Sequence, residues 1–126
     1  MAALIGGELS ERYPGRPILL VPVLPLPGGP AAPAATRGVS GLVVSSSQVT
    51  HLHLLAAWLE PASPDRPYQV EIELRNGGVL GAGMLRVTGR GRWGFDGDLP
   101  VALAEVRAVR IVRDGRPVLR GEALAP

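Results

Sequence analysis

His51 and His53 stand two residues apart, a spacing that puts both imidazoles on one face of a β-strand. Two histidines on one face bind zinc when a third and a fourth ligand converge on the same point. The chain has no other histidine and no cysteine, so only a carboxylate such as Glu60 would complete the set. A metallohydrolase built on this pair is therefore a minor alternative, and no cofactor is expected. Ser45, Ser46 and Ser47 precede the histidines, yet nucleophilic serine chemistry needs a base in contact and a third group to orient it. No GxSxG elbow occurs, and GVSG over residues 38–41 falls one residue short, so a turn is expected. The glycines of GGVLGAG, Gly77, Gly78, Gly81 and Gly83, lack the Lys-Ser/Thr of a phosphate loop and read as bulges or close packing. Glu71/Glu73 and Asp96/Asp98 pair carboxylates, but on a polar strand face and in a turn, both solvated. The chain is not expected to be an enzyme, and no small-molecule substrate is predicted.

The basic residues are unusual in kind rather than in amount, and a GC-rich coding bias accounts for an all-arginine set more readily than a binding function does. All 13 cations are arginines, against 11 acids. A balance of +2 is too small to imply a polyanion partner by itself. Arg86, Arg90 and Arg92 interleave with Trp93 and Phe95, as in single-strand nucleic-acid platforms. Against that, Asp96 and Asp98 repel phosphate, and Trp93 and Phe95, two apart, both point into a core. The candidate interaction residues are Arg86, Arg90, Arg92, Arg110 and Arg113, with a protein as the expected partner. A nucleic-acid-binding module using Arg86, Arg90, Arg92 and Trp93 is the alternative.

The elements that must position these residues are mostly strands. At 126 residues the chain has room for one domain, and 17 Gly with 13 Pro argue against a helix bundle. Residues 68–75 alternate: Tyr68, Val70, Ile72 and Leu74 on one face, Gln69, Glu71, Glu73 and Arg75 on the other. Period two marks a half-buried strand with its glutamates in water. Asn76-Gly77-Gly78 and Asp114-Gly115 are hairpin signals, and Gly89-Arg90-Gly91 and Asp96-Gly97-Asp98 are read as further turns. Apolar runs at 39–45 and 49–59 flank the serines, and strands are expected at 79–88, 92–95, 107–113 and 118–124. The threefold spacing of Arg107, Arg110, Arg113 and Arg116 would suit an amphipathic helix over 101–113, but Val109, Ile111 and Val112 favour a strand.

The fold class is all-β, a single antiparallel β-sandwich of immunoglobulin-like type with a proline-rich N-terminal segment. Residues 1–36 form a weakly ordered lead, an edge strand at 18–24 and a Pro/Gly/Ala linker; residues 37–126 form the sandwich. The expected core is Val43, Leu54, Trp58, Tyr68, Val70, Ile72, Leu74, Val87, Trp93, Phe95, Val109 and Ile111. An unblocked edge at 18–24 would favour pairing with a second copy, a homodimer. Neither a signal peptide nor a membrane span is read in these residues: ILLVPVLPL, residues 18–26, is too short and carries two prolines.

From Arg37 to Leu124 the order of features resembles the C-terminal extracytoplasmic domain of anti-sigma-K factors. The matching pieces are Arg37-Gly38 opening 39–44, then 54–59, 64–67, Tyr68-Gln69-Val70, Ala82-Gly83, Leu99-Pro100, 106–111 and 115–121. Glu71 stands where that family usually has Trp, and the terminal Pro-Thr-Gly element is reduced to residues 117–121. The sigma-binding segment and membrane helix of such proteins do not occur in these residues. The resemblance implies a β-sandwich, a sensory or interaction role by protein–protein contact, and an extracytoplasmic location. It implies no catalytic residue and does not carry sigma binding.

Overall fold

A computed structural model describes residues 2–26, 36–57, 59, 65–89 and 92–123. The chain begins with helix α1 (Ala2–Arg12) and continues through β1 (Ile18–Pro25), β2 (Arg37–Ser46), β3 (Val49–Ala57), β4 (Gln69–Leu74) and β5 (Val79–Met84). Then come β6 (Arg86–Gly89), β7 (Arg92–Leu99), a 3-10 turn at Leu103–Glu105, β8 (Val106–Arg113) and β9 (Arg116–Glu122). All strand pairings are antiparallel, in the order β5-β4-β8-β9-β1-β2-β3-β7-β6. Only Leu85 separates β5 from β6, so the two ends of the order meet and the sheet nearly closes on itself. The fold is all-β, as its turn-punctuated apolar runs predict.

The alternation over residues 68–75 has its expected inner face: Tyr68, Val70 and Ile72 are buried. They join Val21, Val23, Leu42, Leu52, Leu54, Trp93, Val109, Ile111 and Leu119 in one core between β1–β2–β3–β7 and β4–β8–β9. Trp93 meets Tyr68 edge-on, with ring centroids 5.4 Å apart. Leu74 and Phe95 are only partly buried against this core, Val87 is 66% exposed on β6, and Trp58 lies outside the described residues. Asp114 (φ 55°) and Gly115 (φ 74°) both take the left-handed region, the geometry of a type I′ hairpin between β8 and β9. Residues 101–113 are no helix beyond Leu103–Glu105, because Val109, Ile111 and their neighbours fill the β8 ladder.

The N-terminal residues depart from expectation. The lead is not weakly ordered: α1 lays Ile5 and Leu9 on the outer face of β2, against Val39 and Val43. A Cβ on Gly41 would stand 2.5 Å from Leu9 Cδ1 and 2.6 Å from Ile5 Cγ2, so only glycine lets the helix approach. Ile18–Pro25 is not an edge strand either, but the fifth of nine. It bonds to β2 along residues 18–23 and to β9 only at Leu24 and Pro25. Much of its second edge therefore lacks a ladder, and the missing N–H of Pro22 is tolerated there. Strand β1 is thus not the unblocked edge on which the homodimer expectation rests. The linker expected at 25–36 falls mostly outside the described residues. Among the described residues, no helix is long and apolar enough to cross a membrane.

Candidate functional site

Strands β2, β3, β7 and β6 lie side by side, and their register sorts the outer face into rows. Leu52, Leu54, Ala56 and Trp93 point inward, so their sequence neighbours point out. The outer rows are Val43–His51–Asp98, Gly41–His53–Asp96, Val39–Leu55–Gly94–Arg86 and Arg37–Ala57–Arg92. The first two make a histidine–carboxylate end beneath α1, and the fourth, with Arg86, makes an arginine end.

At the histidine end, Asp96-Gly97-Asp98 is not a turn but the middle of β7, paired with His53, Leu52 and His51. Cross-strand pairing along the full length of β3 overrides the low strand propensity of Asp and Gly. His51 Nδ1 lies 2.7 Å from Asp98 Oδ1, and His51 Nε2 contacts Asp96 Oδ1. His53 Nε2 lies 2.9 Å from Glu8 Oε2 of α1, but no hydrogen bond forms at either buried His53 nitrogen. Arg12 Nη1 donates to Asp96 Oδ2 at 2.7 Å, and the Tyr13 ring packs on His51 at 5.3 Å. Burial disfavours the Asp96 charge, but hydrogen bonds from Arg12 and His51 outweigh it and hold the carboxyl below its ordinary range. Each ring nitrogen of His51 is spent on a different carboxylate, and no metal-binding group of three donors forms among the described residues. Glu60 lies outside them. This end clasps α1 to the sheet.

The arginine end is built the opposite way. Arg37, Arg86 and Arg92 are exposed, and none forms an ion pair with another described residue. Arg37 and Arg92 stand two strands apart, about 10 Å by the usual strand spacing. Two unit charges at that distance repel by about 0.4 kcal/mol in water. Between them stands Ala57, while Gly94 lies buried in the next row, between Leu55 and Arg86. Arg90 lies outside the described residues.

The remaining candidates sit elsewhere. Arg110 is on the outer face of β8, where Nε and Nη2 donate to Glu71 Oε1 at 2.9 and 2.7 Å. Arg120 grips Glu73 with two bonds of 2.8 and 3.0 Å and reaches Glu122 at 3.2 Å. Hydrogen bonding from Arg120, outweighing burial, holds the Glu73 carboxyl below its ordinary range. The glutamates expected in water are thus the anionic rungs of a charge ladder. Arg113 donates to the Tyr68 hydroxyl at 3.0 Å, with its guanidinium 4.8 Å from that ring's centre. The structure therefore brings Arg86 and Arg92 together, sets Arg110 and Arg113 apart from them, and adds Arg37. The only sequence sign of Arg37 is an arginine opening an apolar strand, since its neighbour Arg92 is defined by register. No family model, curated protein or solved structure matches the chain.

Proposed function

We propose that the chain is a non-enzymatic interaction domain that contacts a protein partner through the arginine end of its β2–β3–β7–β6 face. The carrying observation is the contrast in charge pairing. Arg12, Arg110 and Arg120 each hold a carboxylate, whereas Arg37, Arg86 and Arg92 lie together, exposed, with no carboxylate of the described residues paired to them. Like charges left together at a surface cost stability, so their retention is best accounted for by what they attract. The immunoglobulin-like sandwich is our finer reading of the fold, supported by two antiparallel halves packed over one core and joined through β1. A sensory role like that of the anti-sigma-K extracytoplasmic domain accords with this reading and rests on the motifs between Arg37 and Leu124.

A photo-reactive residue replacing the exposed Thr88, beside Gly94, tests the proposal in cells that express the chain natively. The expected result is a discrete, saturable protein adduct that disappears when Arg37 and Arg92 are changed to Glu. Adducts indifferent to those arginines, or formed with nucleic acid, would contradict it. Nucleic acid is the weaker reading because Trp93, which would have to stack on bases, is only 8% exposed and packs on Tyr68.

A further inference from the structure

We infer that the arginine end takes an extended acidic segment of the partner, laid across β2, β3, β7 and β6. This rests on the interaction-domain reading and adds the chemistry of what is bound. Three features carry it. The patch offers three guanidinium groups with no carboxylate of the described residues beside them, and each is free to form a two-pronged bond to a carboxylate. At Ala57 the floor between Arg37 and Arg92 is a single methyl group. Gly94, in the next row, is buried beneath Thr88, whose Cγ2 a Cβ there would meet at 2.8 Å, so the open part of the floor is at Ala57.

The spacing fits a peptide in extended form. From β2 to β6 is three inter-strand steps, about 14 Å, which about five residues of extended chain span. Acidic side chains at alternating positions of such a segment share the face turned to the sheet and come within reach of Arg37, Arg92 and Arg86. Helix α1 stops short of this ground: Ile5 and Leu9 pack over Val39, Gly41 and Val43, and its Glu8 and Arg12 engage His53 and Asp96. Cover and patch thus divide one face, the first satisfied from within the chain and the second not covered by any of the described residues. Asp96, one row further, is already held by Arg12 and His51, and its charge marks the limit of the anion-binding ground.

The test uses the full chain and a fluorescein-labelled peptide of alternating Glu and Val, about eight residues long, read by anisotropy at about 50 mM salt, where surface charges are weakly screened. Its Gln/Val counterpart and an oligothymidylate serve as competing probes. The acidic peptide is expected to bind, to lose affinity by at least about tenfold in the Arg37→Glu/Arg92→Glu variant, and by less in Arg37→Gln/Arg92→Gln. Arg116→Glu, exposed on β9, is expected to leave binding unchanged. Equal binding of the Gln/Val peptide, no binding of the acidic one, or tighter arginine-dependent binding of the oligothymidylate would each overturn the inference. If the acidic peptide fails while the Thr88 adduct still depends on Arg37 and Arg92, the interaction-domain reading stands and only the acidic partner is lost.

Discussion

On the outer face of β4, β8 and β9, Glu71, Arg110, Glu73, Arg120 and Glu122 alternate in sign along one chain of ion pairs, and each charge has its opposite within reach. On the outer face of β2, β3, β7 and β6 the charges are sorted instead. Carboxylates and histidines gather under α1, and arginines gather beyond it. Both faces belong to one nearly closed sheet, so the difference is not one of fold. A ladder of opposed charges binds strands to each other; a sorted face leaves attraction unspent, and α1 uses one half of it. The other half holds three arginines for which the described residues provide no carboxylate.

That comparison can be broken from the core outward. Ile72 is fully buried between the two halves, and Ile72→Asp would place an unpaired charge there, which costs more than a domain of this size has to spare. Circular dichroism should show an unfolded chain. Glu73→Lys comes next: it sets a third cation between Arg110 and Arg120, and should lower stability by about 2–4 kcal/mol in urea denaturation. An unchanged midpoint would mean that the ladder is ornamental. Gly41→Leu drives a side chain into Ile5 and Leu9 and should release α1, for about 1–3 kcal/mol, with faster amide exchange along the helix but not along β4.

Acid sharpens the contrast further. Glu73 and Asp96 both have folded-state pKa values below the ordinary carboxyl range, held there by arginine and, for Asp96, by His51 as well. A lowered carboxyl contributes stability that is fully present above the unfolded value, about pH 4, and is lost as pH falls through the folded value. Stability should therefore decline below about pH 4, and Glu73→Gln should flatten that decline without abolishing it. The smallest effect belongs to the arginine end. Arg37→Glu with Arg92→Glu should move stability by no more than about 0.5 kcal/mol, since neither side chain is buried or ion-paired with a described residue.

How much of this was legible beforehand follows from what is local. The β4 alternation, the Asp114-Gly115 turn and the apolar runs of β2 and β3 are written in neighbouring residues, and the all-β class follows from them. Helix α1 is not, because Gly6 and Gly7 weaken its propensity and its reason to form is Gly41, far along the chain. Strand β7 is disguised by Asp96-Gly97-Asp98, which reads as a turn until β3 pairs with it. Of the arginines singled out from sequence, Arg86 and Arg92 fall at the open end, and Arg110 and Arg113 are drawn to Glu71 and Tyr68 by strand register. Arg37 joins Arg92 only through Ala57, a relation that spans three strands and leaves no local trace.

The most direct measurement is a map of amide chemical shifts as the acidic peptide is added to the isotope-labelled chain. The account predicts movement confined to Arg37, Ala57, Arg86, Gly94, Arg92 and their neighbours, with the amides of Glu71, Arg110 and Arg120 still. Shifts centred on the β4–β8–β9 ladder, or on α1 and the histidines beneath it, would contradict it.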